Sequence, residues 1–227
     1  MSWLELLPLA LLGGLLGLDV VAFPQAMISR PLVAATLTGA LVGYPENGLI
    51  VGATLELIAL ETLPFGASRY PEWGSASVVG GALFTLNGAQ LAGGLEVAVL
   101  GALATAFVGG WSMVKLRQAN ARWARKRAAA LDAGARGTVT RLQLMGMSAD
   151  LVRGVLLTAL ALAVLSPIAT ASLALWSTDA QLSRTVVIAI AAAVTSGAAW
   201  KLFHATSGAR LCFVGGLVAG FVVLFLR

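Results

Sequence analysis

The chain has 227 residues, 59% of them hydrophobic and only 11% charged, with mean hydropathy +0.90 and a formal net charge of +5. A soluble domain carries about 25% charged residues, so this composition excludes an ordinary water-soluble fold. It predicts an all-α polytopic membrane protein, because apolar runs recur and the alternation of a membrane β-barrel strand is missing.

The first apolar run, Trp3 to Ala22, is interrupted by Asp19 and ended by Phe23-Pro24. Proline removes a backbone donor and restricts its predecessor, so the helix should break there. Glu5 with no Lys or Arg, and no small-x-small site, make this run a retained first helix rather than a cleaved leader. Leu32 to Val42 is too short to cross a bilayer, and Pro31 suits its first turn. Tyr44 to Gly48 reads as a turn cluster, followed by a second short run, Leu49 to Leu63, that carries Glu56 and Glu61. Pro64 to Gly74 is a polar break, and Ser75 to Leu86 is another short run ending at Asn87-Gly88. Such short pieces suit re-entrant helices, or helices buried between others.

Leu91 to Val114 is long enough to span and leads into a basic connection. Eight of the fifteen basic residues lie between Lys115 and Arg141, with Asp132 the only acid among them. The positive-inside bias places this connection in the cytoplasm, and the net charge is a topology signal with no nucleic-acid partner implied. A docking surface for a cytosolic protein or for anionic lipid is the sharper reading of the same charge. Leu151 to Trp176 spans, with a bend expected at Pro167; Thr185 to Phe203 and Arg210 to Leu226 follow. The chain therefore divides into a broken membrane region over 1–114, a basic connection over 115–147 and plain membrane helices over 148–227. About 6–8 membrane segments are expected, counting the short broken or re-entrant ones.

Chemistry belongs to the broken part, before about residue 75. A charge in hydrocarbon costs roughly 2.5–3.5 kcal/mol on insertion scales, so Glu56 needs a reason to be where it is. Two readings stand: a carboxylate accepting hydrogen bonds from a sugar hydroxyl, or a buried ion pair with Arg30. Asp19 reads as a ligand contact or as a charge at a helix end. Asp150 and Arg153, three apart, read as an interfacial ion pair at a helix start. Small-xxx-small spacing at Gly13/Gly17, Gly39/Gly43, Gly48/Gly52 and Gly216/Gly220 predicts close helix packing. The lone cysteine, Cys212, has no intrachain partner, and His204 reads as an interfacial histidine. No nucleotide loop, metal cluster or catalytic constellation is legible, so no cofactor, metal or catalytic residue is expected.

The order Leu18-Asp19, Gln25-Ala26-Met27-Ile28-Ser29-Arg30-Pro31-Leu32-Val33, Gly48-Leu49-Ile50-Val51-Gly52-Ala53-Thr54-Leu55-Glu56 and Leu63-Pro64-Phe65-Gly66-Ala67 resembles a known family. It is that of the membrane component IIC of the mannose–fructose–sorbose phosphotransferase system. The resemblance is strongest over about residues 18 to 75. It implies a bacterial inner-membrane permease subunit that pairs with a IID membrane subunit in a larger oligomer. Sugar would pass through that assembly and be phosphorylated by a phosphohistidine of the soluble IIB protein, recharged from IIA. The phosphoryl chemistry would thus lie in other chains. Glu56 is the carried-over sugar contact, with Asp19, Arg30 and Thr54 in support.

Two departures stand out. The family usually has an aspartate where this chain has Tyr44, and Pro-Pro-Asn or Pro-Asp where this chain reads Tyr70-Pro71-Glu72-Trp73. They support an alternative, a degenerate homologue serving as a structural or regulatory membrane subunit without transport. A third class is a secondary transporter coupled to an ion gradient through Glu56 or Asp19.

Overall fold

A computed structural model describes residues 3–60, 69–176, 179–203 and 208–225. The described elements are helical: α1 (Trp3–Asp19), α2 (Pro31–Val42), α3 (Pro45–Ala59), α4 (Trp73–Leu83), α5 (Gly94–Arg125), α6 (Ala128–Asp132), α7 (Arg136–Ala174), α8 (Ala180–Phe203) and α9 (Ala209–Phe225). A π-helical turn, Phe84–Gly88, continues α4. Three stretches, Gly94–Arg125, Arg136–Ala174 and Ala180–Trp200, are long and apolar enough to cross a membrane. This is the expected all-α architecture of spanning helices joined to shorter ones.

α4 is the centre of the packing. Every residue from Gly74 to Leu83 is buried, and α1, α2, α3, α5 and α7 all pack against this helix. Its sequence, Gly-Ser-Ala-Ser-Val-Val-Gly-Gly-Ala-Leu, is small enough for backbones to approach from several sides. A Cβ on Gly74 would come within 2.5 Å of the Leu16 carbonyl, and one on Gly81 within 3.2 Å of that of Ala35. In a membrane, where hydrophobic association between helices is weak, such close packing is the main attraction available. α1 uses Gly13 against Thr158 of α7 and Gly17 against Ser75 of α4 in the same way.

α2 and α3 form a helical hairpin. Gly43, at φ 95°, ends α2 in the left-handed conformation, with its own N–H and that of Tyr44 bonded to the Ala40 and Gly39 carbonyls. The turn is therefore shorter than the Tyr44–Gly48 cluster predicts: α3 already starts at Pro45. Proline at the first position is pre-set for a helix, and Glu46 in the first turn suits the helix dipole. Gly39, Gly48 and Gly52 line the contact between the two helices. Not every glycine of the expected close-packing pairs behaves alike, since Gly43 and, on α9, Gly216 and Gly220 have nothing within 4 Å. Cys212 on the same helix is free and exposed.

The basic connection is itself largely helical. α5 continues to Arg125 and α7 begins at Arg136, with α6 and the turn at Gly134 between them. Alanine, arginine, leucine and lysine are good helix formers, and their charge sends the helix ends out of the apolar layer without breaking them. α7 also runs through Pro167 as one helix.

Gly48→Val should break the α2–α3 hairpin, because a Cβ there would sit 2.2 Å from the Ala35 carbonyl oxygen. Overpacking of this kind costs about 1–3 kcal/mol, so a clear fall in thermal midpoint is expected in detergent. An unchanged midpoint would mean that the two helices do not meet at this glycine.

Candidate functional site

The segment between α1 and α2 is irregular and held by two carboxylates, one bonded to its middle and one to its far end. Asp19, the last residue of α1, is 2% exposed. Its Oδ1 accepts from the Ala26 backbone N–H at 2.7 Å and its Oδ2 from that of Ser29 at 2.9 Å. Within the loop Phe23-Pro24 is cis, and Gln25 and Met27 adopt positive φ values of 58° and 61°. For residues other than glycine that conformation is sparsely populated and costs on the order of 1–3 kcal/mol each. Charge-assisted bonds to Asp19 offset that cost.

Glu56, near the end of α3, holds the other end. Its carboxylate forms an ion pair with the Arg30 guanidinium, and its Oε2 accepts from the Leu32 N–H at 3.2 Å. Arg30 is the N-cap of α2 and Leu32 its second residue, yet Arg30 makes no side-chain cap bond. Glu56 therefore caps α2 from the neighbouring helix, where the orphan N–H groups and the dipole favour an anion. The pair is not sealed: the Arg30 side chain is 34% exposed and that of Glu56 20%.

The site residues expected from sequence separate here. Arg30 and Glu56 come together, and Asp19 joins them through the loop it clasps. Thr54 does not join, because its side chain is buried and its hydroxyl donates to the Ile50 carbonyl at 2.9 Å. Two positions along a helix are about 200° apart, so Thr54 and Glu56 face different ways. Glu61 and His204 lie outside the described residues.

A second ionic group differs from expectation. Asp150 and Arg153 do form the expected ion pair, but well inside α7 rather than at its start, because that helix begins at Arg136; Asp150 is buried and Arg153 part-buried. Arg153 donates to Asp150 at 2.8 Å and to Ser112 Oγ at 3.1 Å, and lies 4.0 Å from Glu72. Glu72, 1% exposed, is the N-cap of α4 and accepts from the Ser75 N–H at 3.1 Å. Nearby, Arg117 donates to the Tyr70 hydroxyl and lies 4.9 Å from its ring centre. A cleft of about 510 Å³ opens beside this group, lined by Val21 and Ala22 of the irregular loop together with Arg117, Trp123 and Asp150. Sequence reasoning missed Glu72, because the usual N-cap residues are Ser, Thr, Asp and Asn.

Broken helices around a carboxylate-clasped loop and a part-exposed ion pair define a helical membrane protein with a polar site built on discontinuous segments. The match that places it covers nearly the whole chain: residues 3–224 fit the model of the family described as the sorbose-specific IIC component of the phosphotransferase system. The chain belongs to that family. It is 36% identical over 70 residues to the sorbose-specific EIIC component of Lacticaseibacillus casei, covering 31% of this chain and 25% of that protein. The Bacillus subtilis fructose permease IIC component is 36% identical over 99 residues, covering 44% of this chain and 36% of the relative. The mannose-specific EIIC component of Escherichia coli K12 is 36% identical over 70 residues, 31% of this chain and 26% of the relative. These alignments thus span about a quarter to a third of the curated relatives' length. Among solved structures, one titled as a membrane protein superposes with TM-score 0.69 at 18% identity, covering 100% of this chain and 96% of that one. A cryo-EM structure of the mannose transporter ManYZ with microcin E492 superposes with TM-score 0.62 at 18% identity, covering 97% and 88%. At these identities the structures establish a shared fold.

Asp19→Ala should loosen the loop selectively. Each amide that loses its acceptor forfeits about 1–3 kcal/mol, so hydrogen exchange at Ala26 and Ser29 should accelerate about 5- to 150-fold. Asp19→Asn, which keeps a single acceptor oxygen, should fall between the two. Unchanged exchange at both amides would show that Asp19 does not hold the loop.

Proposed function

We propose that this chain is a sugar-translocating IIC subunit of a mannose-family phosphotransferase permease in the bacterial cytoplasmic membrane. The observation that carries the reading is the Arg30–Glu56 pair, part-exposed beside a loop whose backbone is held irregular by Asp19. Family membership over residues 3–224 supports it. Non-helical backbone within a membrane protein is tolerated where it is buried in protein or lines a cavity, which is where transporters place substrates.

Glu56 and Arg30 supply an acceptor and a donor that a sugar's adjacent hydroxyls can bridge. Asp19 acts as a positioning residue: its oxygens are taken up by the loop backbone, so it shapes the site and does not itself reach the sugar. Thr54 fixes the face that α3 presents by bonding to its own helix. Sugar enters, is bound at the loop, and is released toward a soluble IIB protein whose phosphohistidine phosphorylates it. A IID-type membrane subunit completes the passage, and IIA recharges IIB. The added phosphate traps the sugar inside, so this chain's own residues need only bind, occlude and release.

Vesicles containing the chain with a IID-type partner should accumulate sugar phosphate only when phosphoenolpyruvate and the soluble proteins are supplied. Glu56→Gln keeps the shape and removes the charge. Losing hydrogen bonds to a charged group costs about 1.5–3 kcal/mol, so uptake should fall about 10- to 100-fold while the complex elutes unchanged on gel filtration. Full uptake by that variant would remove Glu56 from the mechanism. Uptake that ignores phosphoenolpyruvate and collapses with the ion gradient would replace the reading with secondary transport.

A further inference from the structure

The outward side of α5 changes character within one turn. Leu100, Ala104, Phe107, Trp111 and Lys115 follow at steps of three or four residues, so they share one face. All are exposed, Leu100 at 63%, Phe107 at 65% and Trp111 at 52%. Beyond Lys115 the same stripe continues as Gln118, Arg122 and Arg125, also exposed. A helix face that is apolar on one side of a tryptophan and basic on the other has the profile of a membrane–water boundary.

Two cations are folded onto the rings at that boundary. The Arg69 guanidinium lies 4.1 Å over the centre of the Phe107 ring, reaching across from the segment that precedes α4. The Lys115 ammonium lies 5.5 Å from the centre of the Trp111 ring. Among the described residues neither cation forms an ion pair. Phe107 and Trp111 are one turn apart, about 6 Å along the axis, so both cations rest on rings of the same stretch of this face. Contact with a ring face fixes a cation while leaving its donors for an acceptor.

We propose that this face binds one anionic phospholipid of the cytoplasmic leaflet. Its phosphate sits between Arg69 and Lys115, and its acyl chains lie along Leu100, Ala104 and Phe107. Charge complementarity selects this occupant. Arginine offers a planar fork that matches phosphate oxygens, and lysine adds a point charge beside it. A zwitterionic lipid would bring its own cation to the same place and lose much of the attraction. A protein partner's apolar surface would have to bury two cations, which is costly. The site is independent of the sugar-binding reading, because it uses other residues on another helix.

The test is native mass spectrometry of the full chain with its membrane partner subunit, titrated with palmitoyl-oleoyl phosphatidylglycerol or the matching phosphatidylcholine. The wild-type complex should retain phosphatidylglycerol in preference to phosphatidylcholine. A basic residue at a membrane surface is worth about fivefold in binding, so Arg69→Gln with Lys115→Gln should lower that retention about tenfold or more. Arg69→Lys with Lys115→Arg should keep most of it. Arg136→Gln with Arg141→Gln removes the same charge at other exposed positions and should leave retention unchanged. Equal loss in that control would reduce the effect to diffuse attraction and overturn the site. Undiminished retention in the glutamine pair, or equal retention of both lipids by the wild type, would also overturn it. Loss of the partner subunit by the glutamine pair would make the face a protein interface instead.

Discussion

Two carboxylates hold an irregular stretch of backbone in place, and the arrangement of the broken half follows from that constraint. Asp19 binds the middle of the loop after α1 through the amides of Ala26 and Ser29. Glu56 binds its far end through Arg30 and then caps α2 through Leu32. Bare backbone donors are expensive in an apolar medium, so an irregular loop there needs acceptors of its own. Here they come from the ends of two different helices. The charge at Glu56 is thus accounted for without any ligand, as a trans-cap with a guanidinium partner. What makes the pair of interest for binding is that this arrangement stays partly open.

Small residues allow it to be built. α4 is buried on all sides because glycine, serine and alanine let α1, α2 and α5 approach its backbone. That core positions α2 and α3, and hence the loop between Asp19 and Glu56. The Thr195 hydroxyl of α8 donates to the Leu57 carbonyl at 2.8 Å, next in sequence to Glu56, so even the outer helix helps fix the end of α3. The polar group of Glu72, Asp150, Arg153 and Ser112, two of them buried, links α4, α5 and α7 by charge and hydrogen bonding. Breaking one partner of such a group leaves an uncompensated charge, so its members are coupled more tightly than their distances alone imply.

Much of this was legible in the residues. Phe23-Pro24, Pro31 and the short apolar runs marked the breaks, and Arg30 with Glu56 marked the pair, because proline geometry and buried charge act locally. The motif spacing also pointed to the family to which the chain belongs. Turn chemistry misled at Tyr44–Gly48, where proline and glycine signals belong to a helix start and a helix contact. Tyr44 is the N-cap of α3, exposed and without a cap bond, and Glu72 is the N-cap of α4. Both departures from the family pattern therefore fall at helix starts. The position of Asp150 and Arg153 inside α7, with Asp150 buried, was not legible, because it depends on where α7 begins and on partners far away in sequence. Basic residues between Lys115 and Arg141 marked a connection but not its helical form, since such side chains are compatible with helix and only their charge is incompatible with the apolar layer.

The most direct test is a structure of the chain with its membrane partner and a bound hexose. Sugar density is expected within hydrogen-bonding distance of Glu56 and Arg30, against the loop of residues 20–30, with the Asp19 bonds to Ala26 and Ser29 retained. Sugar bound elsewhere, with the Arg30–Glu56 pair and the loop untouched, would make the clasp a purely structural device and contradict the central claim.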